Sequence, residues 1–198
     1  LILGMGTGTY AHQCRRYFPE LKITGVEIDP QITALARTWF GLPADIPVTA
    51  YDGRAYLSGD RKKYDLIMVD AYQDITIPFS MSSVEFFQSV RDHLRPGGVL
   101  VLNMNMKGAV PGSLNDYLAD TVASVFPAVY TADVPRATNR ELFAGMDQDL
   151  AENLVRQGKQ EKNPALGQLM EDTAQRLKPY QPGPYRLPDD RPPVPLLA

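Results

Sequence analysis

The sequence predicts an α/β domain of Rossmann-like build: a mostly parallel seven-stranded sheet, helices on both faces, and an antiparallel last strand. Three observations carry that prediction. Short apolar runs alternate with helix-period segments, the mark of repeated βαβ units. The chain opens on a strand that runs straight into a glycine-rich loop, Gly4-Met5-Gly6-Thr7-Gly8. Acidic residues then stand at the ends of the next three strands.

The elements follow in order. Leu1-Ile2-Leu3 is the first strand, and a helix is expected over residues 9–17. Residues 21–28 read as the second strand. Pro30 opens the next helix in its first turn, where a missing N–H costs little. Ile32, Leu35, Ala36 and Trp39 recur at helical spacing, which places Trp39 in the core. Residues 47–51 are a third strand and 65–70 a fourth, whose Leu66-Ile67-Met68-Val69 is apolar on both faces, as in a central parallel strand. Ser82 and Ser83 cap a helix carrying Val84, Phe86, Phe87, Val90 and Leu94. Arg95-Pro96-Gly97-Gly98 stops it, and residues 99–103 form the fifth strand. A helix near 114–125 and a strand near 128–132 follow. The strand at 141–146 is antiparallel, because the link before it is too short for a crossover. Helices at 148–157 and 164–177 complete a domain spanning 1–177. The remaining stretch, 178–198, holds seven prolines and reads as an extended tail laid over the surface or left mobile.

Composition narrows the function classes. Hydrophobic residues make up 44% of the 198 and charged residues 22%, as in ordinary globular proteins. A net charge of −3 and no basic run beyond Arg61-Lys62-Lys63 give no face for nucleic acid, and that triplet reads as a solvated turn. Cys14 is the single cysteine, which rules out an internal disulfide and a cysteine zinc cluster. His12 and His93 read as helix-surface residues, so no metal is expected. No apolar run is long enough to cross a bilayer and none resembles a signal peptide. The expectation is a cytoplasmic protein without a membrane partner. The chain lacks a starting Met and begins inside a strand, so a processed or excised piece is expected.

Ligands of open α/β sheets bind beyond the carboxyl ends of the strands, at the switch point. Here those ends carry the glycine loop, then Glu27, then Asp52-Gly53, then Asp70. The loop is no P-loop, since no Gly-Lys-Ser/Thr follows. It also departs from the dinucleotide fingerprint, because Gly8 comes one residue early and Thr9 stands in the expected place. With no diphosphate to hold, such a loop suits a sulfonium nucleoside. Glu27 fits an acid that accepts hydrogen bonds from ribose hydroxyls, or else a solvated strand-end carboxylate; it does not by itself decide the cofactor. Asp52 with Gly53 fits an adenine contact, or else a turn.

The segments VEIDP, YDGRAYL, YDLIMVDAY, MSSVEFFQSVRDHLRPGGVLVLN and LPDDRPPV, in this order, resemble the spermidine synthase family of polyamine aminopropyltransferases, in particular its divergent bacterial branch. The resemblance runs from the first residue to about Gly145, plus the tail motif. It implies the class I S-adenosylmethionine-dependent methyltransferase fold and a cosubstrate, decarboxylated S-adenosylmethionine, held by Gly4, Gly6, Gly8, Glu27, Asp52 and Gly53. It implies Asp70 as the general base, and residues 71–80 as a gate containing Tyr72, Gln73 and Asp74. The implied partner is a small-molecule amine, with a homodimer as in many relatives. This chain departs from the family at Thr7, where an Asp contacts the aminopropyl amine, and at Gln73, where a second gate Asp stands; Asp74 follows one place later. The family's small N-terminal β domain is absent from these residues. Asp189 and Asp190 of the tail motif are expected to anchor the tail, and Glu85 is expected to favour its helix start or else to line the pocket.

Three functions follow as expectations. The first is aminopropyl transfer from decarboxylated S-adenosylmethionine to an amine. The second is methyl transfer from S-adenosylmethionine, which Thr7 suits because a neutral loop demands no aminopropyl ammonium. The third is a non-catalytic nucleoside-binding or assembly domain.

Overall fold

Short apolar strands need both faces covered, and the helices between them supply that cover. A computed structural model of the chain describes residues 1–72, 77–104 and 112–191. The elements are β1 (Ile2–Leu3), α1 (Thr9–Tyr17), β2 (Gly25–Glu27), α2 (Pro30–Trp39), β3 (Val48–Ala50), α3 (Gly53–Gly59) and β4 (Tyr64–Val69). A 3₁₀ turn at Phe79–Met81 leads to α4 (Val84–His93), β5 (Leu94–Met104), α5 (Leu114–Ala123), β6 (Ala128–Asp133) and β7 (Arg140–Gly145). Then come α6 (Leu150–Gln160), α7 (Pro164–Arg176) and β8 (Lys178–Pro179).

The sheet order is β3-β2-β1-β4-β5-β7-β6-β8. Pairings from β3 through β5 are parallel, whereas β7 is antiparallel to both β5 and β6. The Rossmann-like reading therefore holds, with one addition: an eighth strand, Lys178–Pro179, pairs antiparallel with Thr131 and Tyr130. Proline is tolerated there because β8 is an edge strand.

Two cores flank the sheet. On one face Leu3, Ile67, Val69, Leu100, Leu102 and Leu142 meet Leu57 of α3, Phe86, Phe87 and Val90 of α4, and Leu118 and Val122 of α5. Each such side chain, when fully buried, contributes about 1.5–3 kcal/mol. On the other face Ile2, Met68 and Val101 meet Ala11 of α1 and Ala36 of α2.

Trp39 is a correction: it is 76% exposed. Leu42 and Ile46, from the loop after α2, fill the core beside Ala36 instead. Arg37 fastens that loop by donating to the carbonyls of Pro43 (2.8 Å) and Ile46 (3.0 Å), so the helix end has no room beneath it for an indole. The second strand is also shorter than expected, since Leu21 and Ile28 are exposed. The fifth is longer, starting at Leu94, because an irregularity in its pairing between Tyr64 and Leu66 absorbs the Arg95–Gly98 turn.

Candidate active site at the carboxyl edge of the sheet

Strand order reverses between β1 and β4, and the carboxyl ends of those two strands carry the glycine loop and Asp70. The loop is fastened to the neighbouring strand. Gly4 and Met5 donate backbone N–H groups to the Val26 carbonyl at 2.9 and 3.0 Å. Gly6 donates to Glu27 Oε2 at 2.9 Å, and Asp29 donates to Glu27 Oε1 at 3.2 Å. Glu27 thus braces the loop as well as facing the edge.

Gly4, Gly6 and Gly8 all take positive φ, at 88°, 52° and 84°. Their surroundings differ. A Cβ on Gly4 would sit 2.5 Å from the Asp70 carbonyl oxygen, so only glycine lets the two strand ends meet. A Cβ on Gly6 would meet nothing within 4 Å, so that backbone faces open space. Bare backbone beside open space fits the flat approach of a nucleoside.

Asp52 caps α3: its Oδ1 accepts from the Ala55 N–H at 2.8 Å. That helix was not foreseen, because Asp-Gly reads as a turn and the following segment is only seven residues long. Gly53 opens it against Met81, whose Cε would lie 3.0 Å from an added Cβ.

Asp70 is bonded through its N–H to the Leu3 carbonyl at 2.9 Å, which fixes it beside the loop. Asn103, at the end of β5, donates Nδ2–H to Asp70 Oδ1 at 2.8 Å, and Asn139 donates in turn to Asn103 Oδ1 at 2.8 Å. Tyr72 donates its hydroxyl to the Asn103 backbone carbonyl. Burial pushes the Asp70 carboxyl upward, with the Asn103 hydrogen bond opposing it. An upward shift brings a carboxylate nearer the range in which it can take up a proton at neutral pH. Gln73 and Asp74 lie outside the described residues.

The glycine loop, Glu27, Asp52 and Asp70 thus share one edge. Sequence reasoning missed Asn103, Asn139 and Glu141. Asn103 was within reach, being a polar residue at a strand's carboxyl end like Asp70. Glu141 was not: it stands opposite Asn103 only because β7 runs antiparallel at that register. Burial first, then the charge of Asp70, raise its carboxyl to about 7. Among the described residues no cluster of His, Cys, Asp and Glu could hold a metal ion. No described helix is long and apolar enough to cross a membrane.

Fold and edge together define a domain of the methyltransferase type, and comparison with known proteins agrees. The family model described as a methyltransferase domain matches residues 1–98. Human methyltransferase-like protein 13, solved in complex with SAH, superposes with a TM-score of 0.68 at 26% identity, covering 91% of this chain and 83% of that one. The sequence relationship is more particular. A probable polyamine aminopropyl transferase of Bifidobacterium longum is 66% identical over 146 residues, which is 73% of this chain and 33% of that protein. A polyamine aminopropyltransferase of Vibrio vulnificus is 28% identical over 187 residues, 91% of this chain and 57% of that protein. The chain is therefore related to the spermidine synthase (polyamine aminopropyltransferase) family, and it spans from a third to little more than half of these relatives' length.

Proposed function

We propose that this domain transfers an aminopropyl group from decarboxylated S-adenosylmethionine to an amine. The observation that carries the reading is the 66% identity to a probable polyamine aminopropyl transferase, with Asp70 standing beside the glycine loop. The cosubstrate supplies a propyl carbon activated by sulfonium, which leaves as a neutral thioether and needs no acid. This chain's residues have the other tasks. The bare backbone of Gly6 receives the nucleoside, Glu27 faces the ribose and Asp52 with Gly53 the adenine. Asp70 accepts the proton that the amine must lose, and Asn103 fixes which way its carboxylate points. Holding the partners in line supplies roughly 7–11 kcal/mol, and a placed base about 10²–10⁴-fold.

Incubation with decarboxylated S-adenosylmethionine and a panel of amines tests the reading. Release of methylthioadenosine with at least one amine is expected; no release with any amine would sink it. The likeness to methyltransferase-like protein 13 favours a second reading, methyl transfer from S-adenosylmethionine. Calorimetric titration with both cosubstrates separates the two, since tighter binding of ordinary S-adenosylmethionine would move the assignment to methyl transfer.

A further inference from the structure

Strand residues alternate between the two faces of a sheet, so every second one shares a face. Met68, Val101 and Phe143 lie on the face covered by α1 and α2. Two places after Met68 and Val101 stand Asp70 and Asn103, and four places before Phe143 stands Asn139. The three polar side chains therefore meet on that face, at the carboxyl edge of the sheet. The turn between β6 and β7 holds Asn139 in place. There the Val134 N–H donates to the Asn139 carbonyl at 3.0 Å, and Arg140 Nε donates to Asp133 Oδ1 at 2.7 Å.

The resulting chain of hydrogen bonds has one direction. An ionised carboxylate only accepts, so Asn103 must offer its NH₂ to Asp70, as it does at 2.8 Å. Its Oδ1 then points at Asn139, which answers with Nδ2–H at 2.8 Å. Once Asp70 has taken up a proton, its needs change. A carboxyl O–H seeks an acceptor, and Asn103 could offer one by turning its amide over. That turn would stabilise the protonated acid and hold the proton back. It would also break the bond to Asn139 and set two NH₂ groups face to face.

We propose that Asn139 is a positioning residue: by engaging Asn103 Oδ1 it locks that amide, so that Asp70 faces an N–H donor both before and after it takes up a proton. The inference rests on the aminopropyl-transfer reading, in which Asp70 is the base, and adds the device that lets the base release its proton between turnovers.

The test is an NMR titration of the Asp70 carboxyl carbon in the whole chain, its signal assigned by its absence in Asp70→Asn. In Asn139→Ala the midpoint is expected to rise by about one pH unit, a tenfold gain in proton affinity. Asn139→Leu, which keeps the volume and removes the donor, should match it. Asn103→Leu should also raise the midpoint, and adding Asn139→Ala to it should change nothing more, because Asn139 acts through Asn103. Other titrating groups near Asp70 are Glu141 of β7 and Tyr72, while Tyr10 of α1, bonded to Cys14, faces Glu141. Glu141, raised to about 7, titrates in the same range, so the rise caused by Asn139→Ala should persist when Glu141→Gln is added. A midpoint that falls or stays put in both Asn139 variants would overturn the proposal. So would a further rise on adding Asn139→Ala to Asn103→Leu, or loss of the rise with Glu141→Gln present.

Transfer assays separate the lock from the reading it rests on. The acid limb of the kcat/KM profile should move up with the NMR midpoint. Midpoints that move as expected, in a protein that releases methylthioadenosine with no amine, remove the transfer reading and leave the lock. Release with midpoints indifferent to Asn139 removes the lock and leaves transfer.

Discussion

Gly4 and Gly6 share a positive φ, but their surroundings predict different failures. Gly4→Ala puts a methyl group against the Asp70 backbone, and should cost several kcal/mol of stability, read as a large fall in the urea midpoint. Gly6→Ala meets no neighbour, so only about 1 kcal/mol of backbone strain is expected, together with loss of methylthioadenosine binding. Equal stability loss in the two variants would contradict this distinction. Glu141 predicts a pH effect. A carboxyl raised from 4.5 to about 7 favours its protonated form in the fold. The stability it contributes is therefore full below pH 4.5 and is lost as pH rises through about 7. Glu141→Gln should lack that fall of about 2–3 kcal/mol, so urea unfolding between about pH 5 and 8 should show the variant gaining on the parent. A pH-independent difference would refute the assignment. At this scale the sequence announced the loop and the strand-end acids, because polar residues after apolar runs stand out. It did not announce Asn103, Asn139 or Glu141, whose meeting depends on cross-strand register.

Strongly patterned elements were legible in the sequence, as were the short strands β1 and β3, whereas α3 and β8 were not. The helix expected at 9–17 and the double-faced apolar strand expected at 65–70 match α1 and β4 to within a residue, since burial on opposite faces leaves a plain periodic signature. The helix α3 escaped because its cap, Asp52, and its first residue, Gly53, together have the composition of a turn. Trp39 misled because helical spacing says which residues share a stripe, and not whether a neighbouring loop already fills the space beneath. The capping role of Asp52 makes its proposed adenine contact testable. In Asp52→Asn the amide oxygen still accepts from the Ala55 N–H, so stability should change by only a few tenths of a kcal/mol. With that oxygen engaged, the variant turns an N–H₂ group towards an adenine amino group. Affinity for methylthioadenosine should fall about tenfold by titration. Unchanged affinity would reduce Asp52 to a helix cap.

Across the whole molecule, the proline-rich segment is tied into the domain well beyond its two-residue strand. Asp120 of α5, buried to 1% exposure, accepts from the Tyr180 hydroxyl (2.7 Å), the Gly183 N–H (2.7 Å) and the Tyr185 N–H (2.9 Å). Leu187 is buried and donates to Thr121, while Asp189 forms a two-pronged pair with Arg54 at 2.7 and 2.5 Å. The Asp189 N–H reaches Glu85 in the first turn of α4 at 3.0 Å, so this acid both suits the helix start and holds the tail. Asp120→Ala strands three donors, and should cost about 3 kcal/mol or more in urea unfolding. A loss below about 1 kcal/mol would mean the tail is dispensable. Arg54 follows Asp52-Gly53 directly, so the same tail reaches the helix that starts at the proposed adenine contact. At the opposite side of that edge lies Asp70, on which the proposed chemistry depends. The most direct test is methylthioadenosine release from decarboxylated S-adenosylmethionine by the unmodified protein and by Asp70→Asn, both saturated with cosubstrate and amine. The account predicts a rate loss of about 10²-fold or more, with cosubstrate affinity kept within about threefold. An unchanged rate in Asp70→Asn would contradict it.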